Sequence, residues 1–424
     1  MKRPRSATWA LLAVVGCTGG GDGGASNACT PASASCGSAG DTGTAAAGAA
    51  SGGSTGAPSP SAGASSSGSS NEGSPTDLAG IGGMATDDSS GTREPDGGAP
   101  APDAAAGGDG NPEDDRCDVG VADASRPPAA LALSGNLGAH DPVIIAAHGR
   151  YYYFSTGNGI SAKVSNDLLA WQQQPAVFPD TPAWFQQSVP EYAPRNIWAP
   201  DISFFGGQYH LYYSVSSFGS NRSCIGHATR PALDSGAWED HEAVFCSNAP
   251  GQNDDFNAID PNVILDEAGT PWMSFGSFWD GIRMIRLNLA GERDGTEPIA
   301  LASRGGGSIE APFIVRRCGF YYLFVSFGAC CQGVDSTYNI NVGRSSDLLG
   351  PYVDREGRPL LDGGGTLLLQ AGGDWVGPGH NAVLIDGTRA YNVYHAYAAT
   401  NGASQLRISE LVWDGEGWPI SGGP

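Results

Sequence analysis

The chain has 424 residues and carries 22 Lys and Arg against 44 Asp and Glu, a formal charge of −22 at pH 7. That balance excludes a nucleic-acid binder, which needs a basic face against phosphate, and it excludes adhesion to anionic lipid through a basic patch. Glycine supplies 64 residues and only 16% are charged, against about 7% Gly and about 25% charged residues in an average chain, so part of the sequence is not an ordinary folded domain.

The chain opens with Lys2, Arg3 and Arg5, followed by an apolar run from Ala7 to Gly16. A basic start before a short apolar run predicts an export signal, because about ten apolar residues are too few to span a bilayer. The run ends Val14-Val15-Gly16-Cys17, which resembles a bacterial lipoprotein processing site. The expectation is a signal peptide over 1–17 with lipid on Cys17, anchoring the exported protein at the cell envelope. An ordinary signal peptide that releases a secreted protein is the alternative.

Residues 18–130 hold 15 acidic and 3 basic side chains among Gly, Ala, Ser, Pro and Thr, and no aromatic residue occurs between Trp9 and Tyr151. So few large apolar groups cannot offset the entropy of ordering the chain, and the segment reads as a disordered linker. Beyond Cys17 lie Cys29, Cys36, Cys117, Cys224, Cys246, Cys318, Cys330 and Cys331. Export favours disulfides, although sequence does not set their connectivity. Cys224–Cys246 and Cys29–Cys36 are the pairs expected. The adjacent Cys330 and Cys331 could be a vicinal disulfide, two thiols or two separate bridges.

From residue 131 the sequence changes to short aromatic and β-branched runs bounded by Gly, Asp, Asn and Pro, the signature of many short strands. The runs repeat. Asp141, Asp201, Asp260, Glu310 and His380 open successive units at spacings of 60, 59, 50 and 70 residues. An aromatic strand follows each about ten residues on: Tyr151–Phe154, Tyr209–Tyr213, Trp272–Phe275, Phe320–Phe324 and Tyr391–Tyr394. Third strands are expected at Ile160–Val164, Cys224–Ala228, Ile282–Leu287, Tyr338–Val342 and Gln405–Leu411, with fourth strands such as Trp171–Phe178 and Trp238–Phe245. Five four-stranded units predict an all-β, five-bladed β-propeller over 131–424. A two-sheet sandwich would explain the strands but not the five units.

In a propeller the innermost strands line a central channel, so the five opening residues would meet in one cavity. Carboxylates packed together raise one another's pKa, which separates them into a base and an acid. Glycosidic bond hydrolysis needs that division: an acid protonates the leaving oxygen and a base activates water. Trp198, Phe218 and Trp279 are candidates to stack on sugar faces, and Asn262 to bind substrate; each is equally compatible with packing. Asp201 reads better as a support or a strand contact than as a chemical group.

The segments His140-Asp141-Pro142, Asn196-Ile197-Trp198-Ala199-Pro200-Asp201, Ala258-Ile259-Asp260-Pro261-Asn262, Ser308-Ile309-Glu310-Ala311-Pro312-Phe313 and Gly377-Pro378-Gly379-His380-Asn381 resemble the motifs of family-43 glycoside hydrolases, above all the endo-α-1,5-L-arabinanases. The stretch Phe324–Gly328 with Cys330-Cys331 and Ser336-Thr337-Tyr338 is similar too. The resemblance spans about residues 136–418 and implies an inverting enzyme on a five-bladed propeller. It implies Asp141 as general base, Glu310 as general acid and Asp260 as the carboxylate that orients the acid and raises its pKa. It places His380 beside an axial cation, often calcium, held mostly through water, since calcium prefers six to eight oxygens. No redox cofactor is implied. The substrate would be the α-1,5-linked backbone of arabinan, and the enzyme is expected to be a monomer. Action on another pentoside as an arabinofuranosidase or xylosidase, or a non-catalytic surface sugar-binding lipoprotein, are the competing readings. Endo against exo action stays open.

Overall fold

The computed structural model describes residues 116–192 and 196–424. The signal peptide, Cys17, the linker up to residue 115 and the expected Cys29–Cys36 pair lie outside the described residues. Among the described residues, no helix is long and apolar enough to cross a membrane.

The described chain forms five successive sheets, each built outward from an inner strand. The first blade comprises Val143–Ala147, Arg150–Ser155, Ser161–Ser165 and Ala170–Gln174. The second comprises Asn196–Phe205, Gln208–Val215, Ser223–Arg230 and Glu239–Ser247, and the third Asn262–Leu265, Pro271–Phe275, Ile282–Arg286 and Ile299–Ala302. The fourth comprises Ile309–Arg317, Phe320–Phe327, Asn339–Ser345 and Thr366–Leu369, and the fifth Trp375–Asp386, Arg389–Ala398, Ser404–Trp413 and Pro419–Ser421. Neighbouring strands of each four are antiparallel. The five-bladed propeller read from the repeat is the fold, and every aromatic run marks a second strand.

Tight turns set the first hairpins. Gly206 and Gly207 have φ of +57° and +81°, and Cys318 and Gly319 have +51° and +75°. Two consecutive positive φ values match the twist of the flanking strands, and Gly meets them without steric cost. The second strands are buried on both faces, with Tyr212, Tyr213, Phe324, Val325, Val393 and Tyr394 at 0% exposure, because each blade packs against a neighbour on either side.

The ring closes through the segment just before the first blade. Leu131 N–H donates to Ile408 O and Glu410 N–H to Ala129 O on the fifth blade, while Ser134–Gly135 pairs with Ala170–Trp171 of the first. This moves the start of the folded part. Residues 116–130 are not linker but packed chain. Cys117 is bonded to Cys318, Val119 is 3% exposed, and Arg317 donates to the carbonyls of Val119 and Cys117. The composition gave no sign of this, because the tie depends on a cysteine 201 residues away. Cys224–Cys246 forms across paired strands as expected, and Cys330–Cys331 is a vicinal disulfide.

Candidate active site

One backbone device positions the site. Each inner strand carries, within it or just before it, a residue in the left-handed region: Asp141 (+52°), Ala199 (+40°), Asp260 (+57°), Ala311 (+56°) and His380 (+49°). Four of them precede proline, whose missing N–H leaves the ladder interrupted at that point. A non-glycine residue in this region costs on the order of 1–3 kcal/mol unless its surroundings hold it. Here each freed N–H donates to a side chain of the preceding blade. Asp141 donates to His395 Nδ1 (3.1 Å), Ala199 to Thr156 Oγ1 (2.8 Å), Asp260 to Ser214 Oγ (2.9 Å), Ala311 to Asp260 Oδ2 (3.1 Å) and His380 to Ser326 Oγ (2.8 Å). The five bonds run round the ring and lock all five blades at the level of the cavity.

This registration revises which residues correspond. Asp141, Asp260 and His380 occupy the bulge itself, Glu310 precedes it by one, and Asp201 follows it by two. Asp201 therefore points between blades: its carboxylate accepts Val263 N–H (2.8 Å) and Asn262 Nδ2 (3.3 Å). It is a strand contact, the role the sequence favoured for it. Asn262, expected to bind substrate, is 2% exposed, and its Oδ1 accepts Ile314 N–H (2.8 Å). With both ends of its amide engaged, it pins the third blade to the second and fourth and presents nothing to a ligand.

The remaining carboxylates meet. Asp141 Oδ1 lies 3.0 Å from His140 Nδ1 and 3.1 Å from His380 Nδ1, and Oδ2 accepts Thr156 Oγ1 at 2.5 Å. Burial pushes its pKa up, but the charges of His140 and His380 outweigh that and hold it well below the usual carboxylate range. Glu310 accepts the Tyr338 hydroxyl on Oε1 (2.5 Å) and the Ser277 hydroxyl on Oε2 (2.7 Å). Burial raises its pKa, and these two neutral donors offset only part of the rise. Asp260, 6% exposed, is pushed up to about 7 by burial, which the nearby carboxylates reinforce and His380 opposes. His380 is raised to about 9: burial works against its charge, and Asp141, Asp260 and Glu310 together prevail.

Several contacts were invisible in the motif pattern. His395 is fully buried and held well below its ordinary pKa by burial and by His140, so it is a neutral acceptor for Asp141 N–H. The Tyr397 hydroxyl is 2.9 Å from His140 Nε2 and accepts Cys331 N–H at 2.8 Å. A signal for some of these was present. Thr156, Ser214, Ser326 and His395 are polar residues at or near the ends of the aromatic second strands, one in each of four units.

The three candidate platform aromatics lie near these groups in the chain. Trp198 is half-buried beside Ala199, and Trp279 is half-buried two residues after Ser277. Phe218 stands 87% exposed on the connection between the second and third strands of the second blade. The site thus joins one carboxyl whose pKa is held down, one whose pKa is raised and a third that is buried beside them within one propeller channel, an arrangement that suits an acid–base glycoside hydrolase.

Comparison with known proteins agrees. The family described as Glycosyl hydrolases family 43 matches residues 135–419, and the chain belongs to it. The extracellular endo-alpha-(1->5)-L-arabinanase 1 of Bacillus subtilis is 40% identical over 310 residues, covering 71% of this chain and 94% of the relative. The extracellular exo-alpha-(1->5)-L-arabinofuranosidase ArbA of Cellvibrio japonicus is 42% identical over 298 residues, covering 66% and 85%. The structure of a family-43 endo-arabinanase from Bacillus licheniformis superposes with a TM-score of 0.64 at 45% identity, covering 68% of this chain and 99% of that one.

Proposed function

We propose that the protein hydrolyses the α-1,5-L-arabinofuranosidic bonds of arabinan with inversion, and that it acts within the chain. In this reading Asp141 is the general base that activates water, and Glu310 is the general acid that protonates the leaving oxygen. Asp260 holds Ala311 N–H, next to Glu310, and with its neighbours keeps Glu310 protonated. Trp198, Phe218 and Trp279 stack on the sugars flanking the cleaved bond. The observation that carries the reading is the opposite displacement of two carboxyls in one cavity: His140 and His380 hold the Asp141 pKa down, while burial among neutral hydroxyls raises that of Glu310. Inversion needs base and acid roughly 6.5–9.5 Å apart with water between them.

The reading extends to the envelope and to a cation. Lipid on Cys17 would hold the propeller near the cell surface on a long tether, suited to a polymer too large to import; a secreted, unanchored monomer is the other form. A calcium ion beside His380 fits only through water. Asp141 occupies His380 Nδ1, and the donors gathered round Asp141 are imidazoles rather than the oxygens calcium takes. When bound there, the cation would add positive charge near Asp141; the acid–base steps are carried by the carboxyls.

The product profile on linear and debranched arabinan, wild type beside Glu310→Gln, tests the core of this. Mixed short oligosaccharides early in the reaction, absent from the mutant, are expected. Arabinose alone would move the enzyme to exo action, the activity in the name of the Cellvibrio relative. No product from either folded protein would overturn the reading in favour of another pentoside or a binding role.

A further inference from the structure

We infer that Tyr338 fixes which oxygen of Glu310 carries the transferable proton: Oε1 is committed to the phenol, and Oε2, shared with Ser277, delivers the proton to the leaving sugar. The inference rests on the reading of Glu310 as general acid and adds a positioning residue to it.

The argument is one of hydrogen-bond supply. Tyr338 is 2% exposed, and the hydroxyl lies 2.5 Å from Glu310 Oε1. A phenol has one proton to give, and Glu310 is the one hydrogen-bond partner the described residues offer it. If Oε1 held the acid proton, two hydrogens would crowd one contact, or the phenol would point its proton at nothing in a buried place, where an unsatisfied donor is destabilising. The arrangement that satisfies both groups has Tyr338 donating to Oε1, so the carboxyl proton sits on Oε2. Burial and the facing carboxylates drive the Tyr338 pKa well above its ordinary value, so it stays a donor throughout.

Ser277 suits the complementary role. Its hydroxyl is 2.7 Å from Oε2 and is 4% exposed. A serine hydroxyl both donates and accepts. It accepts from Oε2–H while Glu310 is protonated and donates to Oε2 once the proton has passed to the glycosidic oxygen. The proton moves from Oε2 to the departing oxygen as the C–O bond breaks, and water activated by Asp141 supplies the hydroxyl to the sugar, so the reaction balances. The Tyr338 ring cannot turn away. A Cβ at Gly379 would stand 1.9 Å from the ring, so the fifth blade packs directly on its face.

The test separates proton delivery from sugar binding by changing the leaving group. Tyr338→Phe keeps the ring and removes the donor. Its kcat is measured on a linear α-1,5-arabino-oligosaccharide and on the same oligosaccharide with 4-nitrophenol as leaving group, which departs without a proton. The expected result is a loss of roughly 10- to 100-fold on the sugar leaving group, within the range for general acid catalysis, and a change under about threefold on the nitrophenyl substrate. Ser277→Ala should show a smaller split. Equal losses on both substrates, no loss on either, or a larger split for Ser277→Ala than for Tyr338→Phe would each overturn the inference. Glu310→Gln runs alongside: if it shows the leaving-group split and Tyr338→Phe does not, the proton assignment fails and the acid stands. If Glu310→Gln shows no split, the acid reading itself fails.

Discussion

Asp141 and Glu310 are carboxyls at the inner strands of one channel, Glu310 buried and Asp141 nearly so, yet they are surrounded by opposite chemistry. Asp141 faces imidazoles, with the Nδ1 atoms of His140, His380 and His395 at 3.0, 3.1 and 3.7 Å from Oδ1. Glu310 faces a phenol and a serine, neither of which carries charge at neutral pH. Burial alone would push both pKa values up. His140 and His380 reverse that for Asp141, and the neutral donors do not for Glu310. The lesson is that the division of labour between two carboxylates is set by whether their hydrogen-bond donors carry charge, more than by depth.

The strongest way to break this comparison is to remove the ionised member. Asp141→Asn keeps the shape and removes the proposed base, and kcat on arabinan should fall by about 10²–10⁴-fold, with circular dichroism showing an intact fold. Exchange of one imidazole is subtler. His140→Gln leaves a hydrogen-bond donor at Oδ1 and removes an imidazole that, with His380, holds the Asp141 pKa down. Asp141 acts ionised, so activity is lost as pH falls through its depressed pKa. With less positive charge nearby that pKa rises, and the acidic limb of the kcat/KM profile should move to higher pH, with the rate at neutral pH changed far less than the rate on the acidic side. The alkaline limb, set by deprotonation of Glu310, should stay in place, because no contact joins His140 to it. Movement of both limbs together would mean that the two carboxyls respond as one unit.

A smaller effect is expected from the rim. Cys331 is exposed, its N–H donates to the Tyr397 hydroxyl, and that hydroxyl meets His140 Nε2. The vicinal pair thus holds the far side of the imidazole that touches Asp141. Replacing both Cys330 and Cys331 by Ser should lower kcat/KM a few-fold, and Tyr397→Phe should do the same. Mild reduction should reproduce the loss in the wild type and leave the double variant unchanged. Insensitivity of all three would show that His140 is held from the Asp141 side alone.

How far the sequence disclosed this depended on whether a feature repeats. The aromatic second strands and their glycine turns recur five times, so the propeller was legible. Asp141, Asp260 and Glu310 stood out because each opens a unit of the repeat and lies in a segment that resembles a family-43 motif. The register did not stand out. Asp201 and Glu310 look like counterparts of Asp141 by spacing, and only the left-handed residue in each blade shows that they sit two residues past and one residue before it. Asn262 fell to the same ambiguity, since a polar side chain beside Asp260 can face the channel or the next blade. Tyr338, His395 and Cys117 were hidden for another reason. Their partners are 28, 254 and 201 residues away, and no local pattern encodes such a contact.

Asp201 gives the sharpest control, because it is buried like Asp260 and Glu310 and differs from the carboxylates proposed to react in what it touches. Burial raises its pKa to about 7, against the bonds from Val263 N–H and Asn262 that favour the charge. Both of its oxygens accept, so Asp201→Asn replaces one acceptor by a donor aimed at another donor. Leaving a buried donor unsatisfied costs about 1–3 kcal/mol, which should appear as a lower melting temperature. At a temperature where the variant is folded, kcat on arabinan should stay within a few-fold of the wild type, and both limbs of the pH profile should keep their positions. A loss of kcat as deep as that of Asp141→Asn would mean that position along the inner strand does not separate chemistry from scaffolding. Stability lost without kcat would show that two residues of register separate a strand pin from a reacting group.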